Sequence, residues 1–124
     1  MLRVRPHPPV DYSKCNQTVT IYHQEPPGAY TRTVLKHEAF LDFKKTQNID
    51  KIGSHEVNSF LLVIPCAEPC VAVGDKVLLG EGPVISTREE WAAFLPVKVP
   101  GLVVVKYVDP KYWNGKMVHV EAGG

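Results

Sequence analysis

The sequence predicts a mostly β fold: a small antiparallel β-barrel with one short helix and an extended N-terminal arm. Short stretches alternate apolar and polar residues at period two, the pattern of half-buried strands. The 11 prolines and 9 glycines among 124 residues interrupt these stretches at short intervals, which argues against long helices. Only one stretch spaces its apolar residues as a helix does, and it is short.

The length of the chain indicates one domain, and its positive and negative charges nearly balance. A chain of 124 residues suits a single core. Its 14 Lys and Arg nearly balance 13 Asp and Glu, so no global basic excess indicates nucleic-acid binding. No apolar run predicts a membrane span, and no apolar core predicts a signal peptide. We divide the chain into a Pro-rich arm at residues 1–14 and a barrel domain at residues 15–124.

The strands are predicted from the period-two pattern. In the first of them, Val19 and Ile21 point to one face, and Thr18, Thr20 and Tyr22 point to the other. The later stretch that ends at Pro65 is almost continuously apolar, which is typical of a central strand. The predicted strands are residues 17–24, one or two strands within 30–43 with the second near 39–43, residues 57–65, 76–79 and 101–110, and a closing hairpin strand through Val118 and Val120.

Two glycine-containing pairs predict tight turns. Gly74 and Asp75 precede the predicted strand at 76–79, where glycine tolerates positive φ and aspartate hydrogen-bonds within its own turn. Asn114 and Gly115 are the dipeptide that favours a type I′ hairpin turn. All four residues are therefore predicted to serve backbone geometry rather than chemistry.

The helix is predicted at residues 87–95. Thr87 and Glu90 fit a capping box, and Ser86 with Glu89 fits the same motif in an alternative register. The apolar residues Trp91, Phe94 and Leu95 then share one face.

The polar segment 44–56 is predicted to be a long loop. Only Ile49 and Ile52 are apolar in it, and it contains Gly53. Loops of about 13 residues are at the upper end of length in compact domains and are often functional.

The cysteines leave three alternatives open. Cys66 and Cys70 form a C-x3-C motif, and Cys15 stands alone. A zinc site needs about four ligands, and no second close pair of Cys or His supplies them. A disulfide framework would be denser, so the three cysteines predict a reducing compartment. We favour ordinary turn cysteines over a metal site or a disulfide.

No catalytic, cofactor or metal residue is predicted. The five histidines are scattered, and His119 is expected on the outward face of the last strand. The glycines around residues 74–82 match neither of two phosphate-binding motifs, G-x-x-x-x-G-K-[ST] and G-x-G-x-x-G. We therefore predict a protein that is not an enzyme.

The order of the features resembles one family of proteins. The stretches "TVTIY", "LLVIP" and "VGDKVLLGEG" occur in that order, with the long polar segment before the second. Over residues 16–121 the chain resembles the head–tail connector proteins of tailed bacteriophages, in the head-closure or stopper position.

The resemblance implies a structural subunit of a dodecameric ring below the portal and adaptor in the virion neck, assembled in the host bacterial cytoplasm. It implies contacts with neighbouring copies, adaptor and portal proteins, tail proteins and packaged DNA, and none with a membrane. Arg3, Arg5 and Tyr12 of the arm would contact these partners. The helix and the Cys66–Cys70 turn have no counterpart in the family pattern. The residues that would face the DNA channel are Lys44, Lys45, Thr46, Gln47, Asn48, Asp50, Lys51 and His55.

Three alternatives remain. The chain could be another neck component, such as a tail-terminator or tail-completion protein. It could be a small-barrel nucleic-acid-binding module that uses Tyr107, Tyr112 and Trp113 to stack bases. The least favoured alternative is a metal-dependent or thiol enzyme, because no constellation of residues supports it.

Overall fold

The computed structural model describes residues 12–26, 28–50 and 53–124, with the backbone alone for residues 44–58. Strands make up 55% of the chain and helix 6%, which confirms a mostly β fold with one short helix. The seven antiparallel strands form a curled half-barrel sheet. Residues 1–11 of the predicted arm lie outside the described residues. The elements are β1 (Gln17–Glu25), β2 (Ala29–Asp50), β3 (Gly53–Pro65), β4 (Lys76–Leu79), α1 (Arg88–Ala93), β5 (Leu102–Val104), β6 (Tyr107–Trp113) and β7 (Lys116–Gly123).

The strand order is β5-β4-β1-β2-β3-β7-β6. The strands β5 and β6 are consecutive in sequence, but they lie at opposite edges of the sheet. The two residues between β5 and β6 link these edges. The Val105 amide donates to the Asp75 carbonyl at 2.9 Å, and the Gly74 amide donates to the Val105 carbonyl at 2.8 Å. One residue later, the Lys106 amide donates to the Gly123 carbonyl at 2.8 Å. Through residues 105 and 106, these bonds connect the turn that precedes β4 to the end of β7.

Two apolar clusters cover opposite sides of β1. Val19 and Ile21 belong to the larger cluster, as their alternation predicts, but Thr20 and Tyr22 are buried too. Tyr22 packs in the second cluster with Phe94, next to the C-terminal end of α1. Burial on both faces explains why β1 is not half-exposed as predicted. The larger cluster comprises Val19, Ile21, Ala39, Leu41, Phe60, Leu62, Ile64, Val71, Val77, Val103, Val105, Val120 and Ala122, and the smaller one Tyr22, Leu78, Ile85, Phe94 and Leu102.

The prediction of a loop at residues 44–56 is wrong for the described residues of that segment, which belong to strands. Strands β2 and β3 continue through the polar segment and pair from Phe40↔Val63 to Asp50↔Gly53. Polarity predicted a loop because a strand without a buried face lacks the apolar alternation by which strands are identified. The polar segment has no such alternation, and its backbone nevertheless pairs as an antiparallel ladder.

The helix begins as the capping box predicts and ends sooner than expected. The Glu90 amide donates to the Thr87 hydroxyl at 3.1 Å, and the Thr87 amide donates to the Glu90 carboxylate at 3.1 Å. Residues 94 and 95 lie beyond its end, because Phe94 has the non-helical torsions φ −85° and ψ 84°.

Candidate functional site

The most prominent feature of the backbone is a two-stranded ribbon formed by residues 44–50 of β2 and 53–59 of β3. The last β1 pairing along β2 is at Ala39, and β7 pairs along β3 only as far as Leu61. Among the described residues, each strand of the ribbon therefore has only the other as a paired neighbour. At a rise of about 3.4 Å per residue, seven residues extend roughly 24 Å beyond the sheet.

The base of the ribbon marks the limit of the core. Phe43 and Phe60 are cross-strand partners, yet Phe60 is buried and Phe43 is exposed. Beyond this pair the sequence is largely polar, with three lysines against two acidic residues. A two-stranded ribbon without an apolar face is at best marginally stable in water.

The structure places the predicted channel residues on the ribbon but not in a loop. The residues in β2 are Lys44, Lys45, Thr46, Gln47, Asn48 and Asp50, and His55 is in β3. Lys51 lies outside the described residues, and the side chains of the others lie outside the described part as well. The backbone register pairs Asn48 with His55 near the end of the ribbon.

Tyr12, the described residue of the predicted assembly arm, contacts its own domain. Its hydroxyl lies 2.6 Å from Nδ1 of His119, whose Nε2 lies 3.0 Å from Oε2 of Glu121. Because a carboxylate only accepts, Nε2 carries the proton and Nδ1 accepts from the tyrosine hydroxyl. Burial raises the pKa of Tyr12, which keeps the hydroxyl protonated as a donor. Arg3 and Arg5 lie outside the described residues.

His119 does not face outward as predicted. It is 3% exposed, and its ring packs edge-on against Tyr12 with centroids 5.3 Å apart. The last strand is covered at this point by the chain that leads into β1, so the polar position of the alternation is buried and satisfied by hydrogen bonds.

The Gly74–Asp75 turn combines backbone geometry with an ion pair. Gly74 has φ +94°, and the Asp75 amide closes the turn on the Ala72 carbonyl at 3.1 Å. The Asp75 carboxylate accepts from the Ala72 amide at 2.9 Å through Oδ2. Its other oxygen lies 2.5 Å from Nδ1 of His23 on β1. The buried carboxylate therefore fixes the turn to β1.

His23 is partly exposed, whereas the Asp75 carboxylate that it contacts is buried. The hydrogen bond to Asp75 raises the pKa of His23, and Glu25 adds a second carboxylate 3.7 Å from Nε2. The ring lines an open cleft of about 290 Å³, together with Cys70 and Thr31. An imidazole oriented by a carboxylate is the base half of a hydrolytic triad. Here the contact between His23 and Asp75 also holds the Gly74–Asp75 turn against β1.

Lys76 is a buried cation that has no carboxylate partner among the described residues. Its Nζ donates to the Trp91 carbonyl at 2.6 Å and to the Phe94 carbonyl at 2.7 Å. It also lies 4.4 Å from the centroid of the Trp91 ring. Burial lowers the pKa of Lys76. The lysine thus caps the C-terminal end of α1, where carbonyls lack intrahelical donors.

Cys66 and Cys70 are neighbours in space as well as in sequence. Their Sγ atoms lie 3.2 Å apart, and neither is in a disulfide. Within the described part of the chain, no three His, Cys, Asp or Glu residues are grouped to hold a metal ion. The separation of the two sulfurs is compatible with plain turn cysteines and is also short enough to allow a disulfide after a small movement.

Sequence reasoning missed the contacts that connect distant segments. The pairs His23–Asp75, Tyr12–His119 and Lys76–Trp91 are separated by 52, 107 and 15 residues. No local pattern announces them. A lysine inside the apolar strand β4 was the one available signal, because buried lysines need a partner.

The chain was compared with protein-family models, curated proteins and solved structures, and no match was found. Among the described residues, no helix has the length and apolarity needed to cross a bilayer.

Proposed function

We propose that this chain is a structural head–tail connector subunit of a tailed-phage neck, in the stopper or head-completion position. In this proposal the subunits form a ring below the portal and adaptor. The ribbon faces the DNA channel and helps to retain the packaged genome. The other surfaces bind neighbouring copies and the tail. The subunit is assembled in the bacterial cytoplasm and acts in the virion neck, and its role is not catalytic.

The observation that carries the proposal is the ribbon. It extends roughly 24 Å beyond the part of the sheet that carries the apolar core. Its sequence is largely polar, so it offers few apolar side chains for packing against that core. A ring of subunits supplies neighbours that a single ribbon lacks. The segment 44–56 also contains three lysines against two acidic residues, and lysine contacts with phosphates would add salt-dependent affinity for DNA.

The unpaired edges of the sheet are a second feature that supports assembly into a ring. Within the described part, β5 pairs with β4 alone and β6 with β7 alone, so each leaves one edge unpaired. Pro110 on β6 and the Lys111–Asp109 ion pair, at 2.8 Å, oppose indiscriminate strand addition there. The β6 edge, protected in this way, fits a specific contact between subunits better than strand-by-strand aggregation.

The test shortens the ribbon without changing its register. Residues 46–57 are replaced by Asn-Gly, which joins the paired residues Lys45 and Asn58 through a two-residue turn. We expect the purified variant to unfold at the wild-type temperature, because the ribbon lies outside the core. Particles assembled with it are expected to package DNA and then lose it, measured as nuclease-protected DNA per particle.

A charge variant refines the test. Lys44, Lys45 and Lys51 are changed to Gln, and the matched control changes three exposed lysines of the body, Lys36, Lys98 and Lys116, to Gln. We expect only the ribbon variant to reduce DNA retention. Normal retention and infectivity with the shortened ribbon would overturn the proposal. Retained DNA with failure to join tails would instead favour the tail-terminator or tail-completion alternative.

A nucleic-acid-binding module is the second candidate, and exposed aromatic residues on β6 favour it. Tyr107 is 50% exposed and Tyr112 is 65% exposed, whereas Trp113 is only partly exposed. Aromatic side chains in this setting can stack on bases. The module would bind single-stranded DNA as an isolated subunit, and changing both tyrosines to Ala would weaken that binding.

A further inference from the structure

The Cys66–Cys70 turn is the chemically reactive feature that the proposed function leaves unused. Cys66 directly follows β3, and its amide donates to the Val118 carbonyl at 3.3 Å. Cys70 lies four residues later, in the wall of the cleft that contains His23. Both side chains are partly exposed, so a small reagent has access to the pair.

The two sulfurs are close to bonding geometry. They lie 3.2 Å apart, and a disulfide bond needs about 2.05 Å, so an approach of roughly 1.2 Å suffices. The intervening residues, 67–69, belong to neither a helix nor a strand. The turn can therefore close without breaking a ladder hydrogen bond of the sheet.

We propose that Cys66 and Cys70 are a redox modification site that small-molecule disulfides of the glutathione class convert to an intramolecular disulfide. A thiolate of the pair attacks the small disulfide, forms a mixed disulfide and expels one thiol. The second cysteine attacks the bound protein sulfur and expels the other thiol. In total two protein thiols are oxidised to one disulfide, and one small disulfide is reduced to two thiols.

The environment of the pair sets the order of the steps. Burial, together with the hydrogen bond that the Cys70 thiol makes to Cys66, raises the pKa of Cys70 to about 12. Cys70 is therefore a poor attacking thiolate at neutral pH, and Cys66 reacts first. Cys70 then closes the bond, and its proton passes to solvent.

The disulfide would fix one wall of the cleft next to the turn that holds Asp75. If the chain is a connector, the pair is reduced during cytoplasmic assembly and oxidised in the released particle, and this timing rests on the proposed function. The thiol chemistry itself belongs to the isolated chain, so it is tested without any particle.

The experiment uses the purified full chain and a Cys15→Ser variant that leaves only the pair. Each is incubated with an excess of oxidised glutathione, unfolded, and treated with iodoacetamide before its intact mass is measured. We expect the Cys15→Ser variant to lose two hydrogen atoms and both alkylation sites while remaining monomeric. The wild-type chain should show the same loss of two hydrogens whether or not the variant folds well.

Matched variants complete the test. Cys15→Ser/Cys66→Ser and Cys15→Ser/Cys70→Ser each keep one cysteine of the pair and should show no two-hydrogen loss. The proposal is overturned if the pair stays fully alkylated, if it stops at stable glutathione adducts, or if it forms dimers linked between chains. Such a failure leaves the ribbon experiment unaffected, and a failure of the ribbon experiment leaves the disulfide in place.

Discussion

Replacing Lys76 with Met should destabilise the protein by about 2 kcal/mol. The residue is 6% exposed, and methionine keeps the apolar stem while removing the ammonium group. The Phe94 carbonyl then loses its donor, whereas the Trp91 carbonyl keeps the Phe94 amide at 3.2 Å. One unsatisfied buried carbonyl costs about 1–3 kcal/mol, and the lost cation–π contact about 0.5–2 kcal/mol. Relief of ammonium desolvation offsets part of this sum.

The measurement is urea unfolding of the variant beside a Lys116→Met control. Lys116 is an exposed lysine of β7, so its replacement should change the free energy of unfolding by no more than about 0.5 kcal/mol. Thermal unfolding should show a decrease of roughly 8 °C in Tm for the Lys76 variant, since about 4 °C corresponds to 1 kcal/mol at this size. Equal stabilities of the two variants would refute the reasoning, because they would mean that Lys76 does not cap α1.

Two further predictions concern buried contacts. The pKa of His23 is raised by Asp75, so the stability from this pair is complete below the unfolded pKa, about 6.5, and is lost as pH rises through the folded value. His23→Gln should therefore lower the free energy of unfolding more at about pH 6 than at about pH 9, and an equal loss at both pH values contradicts this. Gly82→Ala should destabilise by about 1–3 kcal/mol, because its Cβ would overlap the buried Tyr22 hydroxyl. Gly28→Ala, where the Cβ meets open space, is the control, and equal Tm values for the two would show that Tyr22 yields freely.

Local chemistry made several elements predictable. The capping box of Thr87 and Glu90 fixes where α1 begins, because its hydrogen bonds lie within one turn of chain. Asn114 and Gly115 have φ +54° and +74°, as a type I′ turn requires, and β4 spans the predicted residues 76–79. These features depend on residues at most a few positions apart, so a single sequence contains all the information they need.

The ribbon shows where sequence patterns fail. Residues 44–56 lack apolar alternation in sequence, so the pattern predicts a loop, although the backbones of β2 and β3 pair through the described part of this segment. The strand conformation of this segment goes with backbone pairing between β2 and β3, which its hydrophobic pattern does not encode. The same limit explains β1, whose Thr20 and Tyr22 are buried because α1 and the segment after β4 cover its second face.

The sequence by itself determined the fold class, the turn glycines, the helix start and the polarity of the ribbon, because all of these follow from neighbouring residues. Only the tertiary structure decided that Asp75 holds His23, that His119 is buried under Tyr12, and that Lys76 caps α1. It also brought the Cys66 and Cys70 sulfurs to 3.2 Å. The physical reason is that hydrogen bonds and burial depend on distances in space, and chain folding sets those distances between segments far apart in sequence.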